Sequence, residues 1–367
     1  MNKLIFANLL HRPLRSVISV CAVTIEVVMI LSIVGIFMGV LDNTRNSTNG
    51  IGADLVVRPS NASFMNGVSG AAMPASLAGY FSRLPHVAVA SPVITQFNMT
   101  NAVEILFGID YKSYNALRPF VFLSGGPFRG PYDVIVDDVF ARSGHGYHVG
   151  DWITILNHKF RICGIVESGK GGRKLIPIST MANLIGAQGR ASVIYIKSDN
   201  PTNEGAIERE IETTPGLQGY QVMTMAAILS QYTPSRFPGF NLALNVVISI
   251  AFIVGFLVIF ETMYTSVLER TQEIGILKSL GASKPMIVGV VLRECAALAV
   301  AGVLLGVGLT YCVQVLLIRQ FPTFSFQLTV GWIFRGAAIA FVGAVCGALY
   351  PSWMAARKDV VDALAYE

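Results

Sequence analysis

ERTQEIGILKSLGASKP, residues 269–285, is a charged stretch that lies between two of the most apolar parts of this 367-residue chain. Its apolar residues recur at every third position and so follow one side of a helix, at Ile274, Leu277 and Leu280. A soluble domain has little reason to place a polar helix between two long apolar segments. The pattern therefore predicts a short amphipathic helix between two membrane spans.

The flanking residues indicate where this helix lies. Glu269 and Glu273 are four positions apart, which predicts that they share one face of the helix. Gly281 is suited to end the helix, because glycine adopts the left-handed backbone of a helix C-terminus without strain. Ser283 can then cap the following helix, with Pro285 in its first turn. The predicted order is helix, sharp turn, membrane helix.

The composition supports a membrane protein. Hydrophobic residues make up 53% of the chain and charged residues only 13%, whereas soluble domains carry about 25% charged residues. Long gaps between charges predict four transmembrane helices, at 16–40, 241–267, 286–318 and 332–353. We interpret the first as an uncleaved anchor, because no small-x-small cleavage site follows it. The remaining segments are an amphipathic helix at 1–15, a large domain at 41–240, the short helix at 268–285, a loop at 319–331 and a tail at 354–367.

Positive charges in the short loops predict the orientation of the spans. They occur before the first span, between the second and third spans and after the fourth span, at Lys3, Arg12, Arg15, Arg270, Lys278, Lys284, Arg293, Arg357 and Lys358. The loop 319–331 carries only Arg319. Both termini and the segment 268–285 are therefore predicted to be cytoplasmic, and the segment 41–240 to be extracytoplasmic. The net charge of +5 follows largely from this bias and needs no nucleic-acid partner.

The segment 41–240 predicts a large α+β extracytoplasmic domain inserted between transmembrane helices 1 and 2. Runs rich in β-branched residues predict strands, in ADLVVRP, VEILFGID, YDVIVDD, DWITIL, KFRICGIV and SVIYIK. Helices are predicted in ASLAGYFSRL, ISTMANLIG and NEGAIEREIE, and in the first part of MTMAAILSQ. The run 132–174 is dense in strands and predicts a small β lobe beside a second lobe.

The cysteine and glycine residues of this domain do not form a disulfide framework, a zinc ribbon or a P-loop. Of the five cysteines only Cys163 lies in it, which excludes a disulfide framework and a zinc ribbon. Residues 164–170, GIVESGK, fit the pattern G-x-x-x-x-G-K, but Gly171 stands where a P-loop needs Ser or Thr for Mg²⁺. We interpret this segment as a glycine-rich loop.

Polar residues elsewhere do not predict catalysis. His145, His148 and His158 lack the i, i+4 spacing of a helical zinc site, so we expect a solvated loop rather than a metal site. Glu26 is the one acid in the first span, where a charge is costly and often functional. It has two open interpretations: a residue that faces a dimer interface, a ligand or a Ser or Thr partner, or a protonated or hydrogen-bonded helix-packing residue. No catalytic, cofactor-binding or metal-binding residue is predicted.

The segment 269–282 also carries the pattern E-R-x-x-E-I-G-x-L-x-x-x-G-A, which closely resembles the signature of the MacB/FtsX-type permeases of ABC transporters. The ending YPSWMAARKDVVDALAYE resembles that family's C-terminal pattern, except that DVVDAL lacks a proline the family commonly has. LLHRPLRS resembles its N-terminal helix. Four external segments resemble its periplasmic core domain: LPHVAVASPVI, LFGIDYKSYNAL, YHVGDWITI and FRICGIVESG.

The resemblance implies a mechanism and a set of partners. Two copies of the chain would bind a separate cytoplasmic ATPase subunit, which would hold ATP and Mg, and the chain itself would not be an enzyme. The ATPase-coupling helix would comprise Glu269, Arg270, Glu273, Ile274, Gly275, Leu277, Lys278, Gly281 and Ala282. The homodimer would lie among the lipids of a bacterial inner membrane, where a periplasmic adaptor or protein partner is possible. It would move its extracytoplasmic domains, a mechanism called mechanotransmission.

The resemblance leaves the cargo open. Export or extraction of a hydrophobic or amphipathic substrate is the first expectation. Regulation of a cell-wall hydrolase or another periplasmic protein is the second, because some members of the family have that role. Export of haem or another hydrophobic small molecule, with Glu26 near its route, is the third.

Cysteine labelling at position 278 tests the predicted topology. In a chain whose native cysteines are replaced by serine, Lys278→Cys is expected to react with a membrane-impermeant maleimide only in inverted vesicles, because its helix faces the cytoplasm. Lys112→Cys, in the segment 41–240, is the control and is expected to react in intact spheroplasts. Reaction of position 278 in intact spheroplasts would contradict the topology.

Overall fold

The computed structural model describes residues 13–60, 73–98, 104–144, 146–234 and 239–358. The predicted amphipathic helix at 1–15 lies almost wholly outside these residues, as do His145 and most of the predicted tail. The chain divides into two compact units, which we describe separately. The helical unit contains 13–39, 239–320 and 325–358, and the sheet unit contains most of 40–237.

Four helices are long and apolar enough to cross a membrane. They are α1 (Pro13–Asn49), α8 (Phe240–Glu269), α10 (Lys284–Gln320) and α11 (Val330–Arg357). Each contains one of the four spans predicted from the sequence. All four helices extend beyond those spans, and residues 40–49 of α1 belong to the sheet unit. The short helix α9 (Thr271–Ser279) stands between α8 and α10.

The sheet unit is an α+β domain. Its strands are β1 (Leu55–Pro59), β2 (Met73–Pro74), β3 (Val87–Asn98), β4 (Glu104–Ile109), β5 (Phe122–Gly125), β6 (Asp133–Asp137), β7 (Trp152–Ile155), β8 (His158–Val166), β9 (Lys174–Pro177), β10 (Arg190–Ala191), β11 (Val193–Ser198) and β12 (Tyr220–Thr224). Its helices are α2 (Leu77–Phe81), α3 (Tyr111–Leu117), α4 (Asp138–Ala141), α5 (Ile178–Leu184), α6 (Glu204–Thr213) and α7 (Met225–Gln231). All the strands and helices predicted for this segment are present.

Ten strands form one sheet in the order β12-β1-β11-β3-β4-β9-β6-β8-β5, with β7 also paired to β8. The prediction of a separate β lobe at 132–174 is wrong, because β9 joins β6 to β4 and so makes the sheet continuous. The pair β4–β9 and the pair β6–β8 are parallel, and the other pairs are antiparallel.

Successive side chains of each strand point to opposite faces of the sheet, so each face has its own hydrophobic core. One face carries a single cluster that includes Val56, Val93 and Phe107 and is covered by α3 and α7. The opposite face carries two clusters. The first packs β1, β11 and β12 against α2 and α6, and the second packs β6–β9 against α4 and α5. The two hydrophobic clusters on one face account for the sequence pattern that predicts two lobes, although the sheet is continuous.

Glycine pairs four residues apart set the packing of the helical unit. Small residues at this spacing let helix backbones approach closely in a membrane. Gly302 and Gly306 of α10 lie against Val23 and Val27 of α1, and the hydroxyl of Thr24 donates to the Gly302 carbonyl over 3.2 Å. Close contact therefore fixes α1 on α10.

Two further glycine pairs leave space for neighbouring parts of the chain. Gly347, the second member of the pair 343–347 in α11, lies against the backbone of Phe256 in α8. Gly35 and Gly39 of α1 leave space for residues 325–326. The N–H of the next residue, Gln327, donates to the Gly35 carbonyl over 2.9 Å. Residues of all four long helices then meet in one buried cluster.

Gly302→Ala tests this close contact. A Cβ at position 302 would lie 2.6 Å from Cβ of Val23, so α1 and α10 must separate, at an expected cost of about 1–3 kcal/mol. Gly308→Ala is the control, because no described heavy atom lies within 4 Å of its Cβ position. Thermal unfolding in detergent measures both variants. Equal stability of the two would contradict the packing.

Candidate functional site

The helix that follows the second span begins with a break at Arg270. The long helix α8 ends at Glu269, Arg270 has φ −109° and ψ 18°, and α9 begins at Thr271. Glu269 and Glu273 therefore lie on different helices, and the prediction that they share one helix face is wrong. The break turns the chain, so that α9 is a separate short helix.

Arg270 links the break to the next membrane helix. Its Nη1 donates to both carboxylate oxygens of Glu294 in α10, at 3.0 and 3.3 Å, and its Nε donates to Oε2 of Glu273 at 3.0 Å. The side chains of Arg270 and Glu294 are 15% and 8% exposed, whereas that of Glu273 is 63% exposed. Charge-assisted hydrogen bonds of this kind are stronger than neutral ones. The buried pair is thus the main polar tie between the break and α10.

One face of α9 is anchored in the helical unit. The Thr271 hydroxyl donates to the carbonyls of Val267 and Leu268, at 3.2 and 2.7 Å. Ile274 packs against a buried cluster formed by the ends of α8, α10 and α11. Gly275 is also buried, and Nζ of Lys278 donates to the carbonyl of Lys358, directly after α11.

The opposite face of α9 is apolar and exposed. Ile276, Leu277 and Leu280 are 48%, 43% and 80% exposed. The sequence predicts one stripe through Ile274, Leu277 and Leu280, but Ile274 lies on the anchored face. Ile276 takes its place on the exposed face. These three side chains, with Glu273 beside them, form what we term the α9 outer face.

Gly281 ends α9 as predicted. Its φ is +93°, in the left-handed region. The N–H of Gly281 donates to the Lys278 carbonyl and that of Ala282 to the Leu277 carbonyl, both at 3.0 Å, which is the Schellman arrangement. Ala282 packs against the same cluster as Ile274, and Ser283 directly precedes α10. The position of α9 is therefore fixed at both ends.

Glu26 lies inside the helical unit, distant in sequence from the α9 residues. It is 3% exposed, and neither carboxyl oxygen has a hydrogen-bond partner among the described residues. Gly255 of α8 and Gly343 of α11 leave the space that its carboxyl group occupies. The described residues thus provide no hydrogen bond for Glu26, and the protonated packing residue and the interface or ligand residue both stay open.

The G-x-x-x-x-G-K segment comprises the last three residues of β8 and the first part of the loop before β9. Nζ of Lys170 donates to the carbonyls of Arg118 and Pro119, both at 3.0 Å. Burial lowers the pKa of the Lys170 ammonium to about 8. The N–H of Gly171 donates to the Ser47 carbonyl over 3.0 Å. Lys170 therefore stabilises the loop through hydrogen bonds to the backbone that follows α3.

The remaining polar groups of the sheet unit, as far as the structure describes them, do not cluster as metal ligands. No group of three or more His, Cys, Asp or Glu residues among those described is placed to hold a metal ion. Sγ of Cys163 donates to the Val134 carbonyl over 3.4 Å, and burial raises the pKa of its thiol to about 12.

Sequence reasoning missed Glu294 and Thr271 as parts of this site. Glu294 lies three turns inside a long apolar helix, where an acid needs a partner, and this was the signal available for it. Thr271 has no comparable signal. Its role depends on the break at Arg270, which the helical pattern does not reveal.

Comparison with known proteins covers most of the chain. Residues 16–214 match the MacB-like periplasmic core domain, and residues 245–360 match the FtsX-like permease C-terminal domain. The chain belongs to the MacB/FtsX-type family of ABC transporter permeases. It is a transmembrane subunit of that class, a multi-pass inner-membrane protein whose sheet unit is extracytoplasmic.

Two relatives are macrolide export ATP-binding/permease proteins MacB. The protein of Shewanella sp. (strain W3-18-1) is 28% identical over 252 residues, which are 64% of this chain and 38% of the relative. The protein of Escherichia coli (strain K12) is 27% identical over 312 residues, which are 77% of this chain and 47% of the relative. The match thus spans less than half the length of these relatives.

Two solved structures are similar to part of this permease. The periplasmic region of MacB from Actinobacillus actinomycetemcomitans has a TM-score of 0.40 and 19% identity, covering 50% of this chain and 94% of that one. The extracellular domain of the transporter YknZ from Gram-positive bacteria has a TM-score of 0.37 and 14% identity, covering 47% of this chain and 98% of that one.

Removal of Arg270 alone is expected to cost more stability than removal of the whole ion pair. Arg270→Met leaves the Glu294 carboxylate buried without its counter-charge, at a typical cost of about 3–5 kcal/mol. The double variant Arg270→Met/Glu294→Leu is expected to recover most of this loss. Thermal unfolding in detergent measures both, with the exposed Arg293→Met as control. A double variant less stable than Arg270→Met would contradict the role of the pair.

Proposed function

We propose that this permease couples ATP hydrolysis by a separate subunit to movement of its extracytoplasmic domains, with α9 as the coupling helix. The observation that carries the proposal is the division of α9 into an anchored face and an exposed apolar face. A short helix with an exposed apolar face fits a groove of a partner protein.

The charge beside the outer face favours a protein partner over the membrane surface. Glu273 is 63% exposed at the edge of that face. Helices that rest on anionic headgroups carry lysine and arginine at this position, because the headgroups are negatively charged. The alternative of a passive connector lying on lipid therefore fits this face less well than a groove with a basic rim.

The contacts of α9 provide a mechanical path into the membrane. Arg270 ties it to α10, and the cluster around Ile274 and Ala282 ties it to α8, α10 and α11. Displacement of α9 by an ATPase would therefore act on three spans at once. We propose that this movement reaches the extracytoplasmic domains without passage of substrate through a membrane channel.

The proposed complex contains two copies of this permease and an ATP-binding subunit that holds ATP and Mg²⁺. An ATP-binding part is proposed because the relatives are named as ATP-binding and permease proteins together. In the proposed orientation α9 and both termini are cytoplasmic. An extracytoplasmic adaptor protein is a further proposed partner.

The first proposed cargo is a hydrophobic or amphipathic compound, in line with the macrolide export named for the relatives. Regulation of an extracytoplasmic protein, such as a cell-wall hydrolase, is the second candidate. Exposed apolar side chains of the sheet unit favour it, because such residues mark protein contacts. They include Val121, Leu123 and Trp152, which are 54%, 60% and 61% exposed.

Charges placed on the α9 outer face test the coupling role. Leu277→Asp/Leu280→Asp is expected to abolish the ATP hydrolysis that the permease stimulates in the ATP-binding protein co-purified from its native membrane, because the apolar contact is lost. Gly275→Pro is expected to have the same effect, since proline breaks the helix. Both variants should still insert into the membrane.

The matched control is Leu123→Asp, which places the same charge at an exposed leucine of the extracytoplasmic unit. Its stimulated ATP hydrolysis is expected to equal that of the wild type. Hydrolysis that stays unchanged in the α9 variants would rule out this helix as the coupling element.

A further inference from the structure

A tryptophan and an arginine are paired at each end of the membrane helix α11. Near its start, the guanidinium carbon of Arg335 lies 5.2 Å from the centroid of the Trp332 ring, and near its end that of Arg357 lies 4.1 Å from the centroid of the Trp353 ring. An α-helix rises about 1.5 Å per residue, so the two tryptophans lie about 32 Å apart along α11. The hydrocarbon core of a bilayer is about 30 Å thick. The two pairs therefore match the two boundaries between hydrocarbon and headgroups, where tryptophan is enriched.

A row of aromatic rings leads from the Trp353–Arg357 pair along α11 and α8, away from the ends of these helices. The ring centroid of Tyr350 lies 6.1 Å from that of Trp353 and 5.8 Å from that of Phe260, and Phe260 lies 6.2 Å from Phe256. Tyr350 and Trp353 are 53% and 48% exposed, so the row is open on its outer side. We term these four rings the aromatic stripe. A guanidinium at one end of an apolar stripe has the same order of polarity as a phospholipid, in which a charged headgroup precedes apolar acyl chains.

The charge at this end of α11 favours an anionic headgroup. Arg357 is exposed, and its guanidinium has no carboxylate or carbonyl partner among the residues that the structure describes. Lys278 adds a second positive charge nearby, because its Nζ donates to the carbonyl of Lys358, the residue that follows Arg357. Arginine binds phosphate oxygens through two parallel N–H groups. Basic residues at a membrane surface attract anionic lipids with about 1 kcal/mol each.

We propose that the end of α11 binds an anionic phospholipid, with the phosphate at Arg357 and an acyl chain along the aromatic stripe. The cation–π contact with Trp353 holds the guanidinium at the level of the headgroup. The site borders the anchor of α9, because Ala355 and Ala356 pack in the cluster that contains Ile274. This binding needs no ATPase and is independent of the coupling role of α9.

Quenching of tryptophan fluorescence by brominated lipids tests the site in the full chain in lipid nanodiscs. The sequence has three tryptophans, so Trp152→Phe/Trp332→Phe leaves Trp353 as the only one. Phosphatidylglycerol and phosphatidylcholine, each brominated near the headgroup, are added separately to nanodiscs of unbrominated phosphatidylcholine. The phosphatidylglycerol is expected to quench Trp353 at a mole fraction about fivefold lower, which corresponds to one charge contact of about 1 kcal/mol.

Arginine variants in the same background separate a specific site from general contact with lipid. Arg357→Gln removes the charge and is expected to abolish the preference for phosphatidylglycerol. Quenching by phosphatidylcholine should stay unchanged and shows that the variant is still inserted. Arg293→Gln is the matched control and should keep the preference, since Arg293 is an exposed arginine of α10 without a ring contact among the described residues.

Three outcomes would overturn the proposal. The first is equal quenching by the two lipids when Arg357 is present. The second is a preference that persists in Arg357→Gln. The third is the absence of quenching by either lipid, which would indicate that another copy of the chain covers the aromatic stripe.

Discussion

The Arg270–Glu294 ion pair is the contact on which the candidate site depends. Glu294 lies within an apolar helix and needs a counter-charge, and Arg270 can supply it only because the chain leaves the helical conformation at that residue. The same break separates α9 from α8 and turns its outer face away from the helical unit. The buried pair, together with the cluster that contains Ile274 and Ala282, therefore positions the short helix and sets the side that it presents. A lysine could not replace Arg270 equally well, because the guanidinium contacts Glu273 and Glu294 at once.

Much of the architecture could be predicted from the sequence. Apolar length identified the four spans, and β-branched runs identified β1, β4, β6, β7, β8 and β11. The strand β3 was missed although it is the longest, because Pro92 in the middle of VAVASPVITQFN argues against one continuous strand. β9 was missed because its four residues, KLIP, include only one β-branched residue and end in proline. Since β9 is the strand that joins the two halves of the sheet, its omission led directly to the wrong prediction of two lobes.

The segment 269–282 could be singled out from the sequence, but Glu294 and the role of Thr271 could not. The face on which Ile274 lies and the partner of Arg270 depend on tertiary contacts that no spacing reveals. The glycine pairs at 35–39, 302–306 and 343–347 were visible in the sequence as G-x-x-x-G. Their partners were not, because a close approach of two helices needs a matching surface on the second one. Gly343, together with Gly255 of α8, also leaves space for the carboxyl group of Glu26.

The partial burial of Cys163 lowers the reactivity of its thiol outside the cytoplasm. A single thiol in an oxidising compartment has no intrachain partner in its own domain and is exposed to mixed-disulfide formation with other proteins or small thiols. The attacking species in that chemistry is the thiolate. Because burial raises the pKa of the Cys163 thiol to about 12, almost none of it is deprotonated at neutral pH. Cys163 can therefore remain a free thiol, without a disulfide to another protein or to a second cysteine.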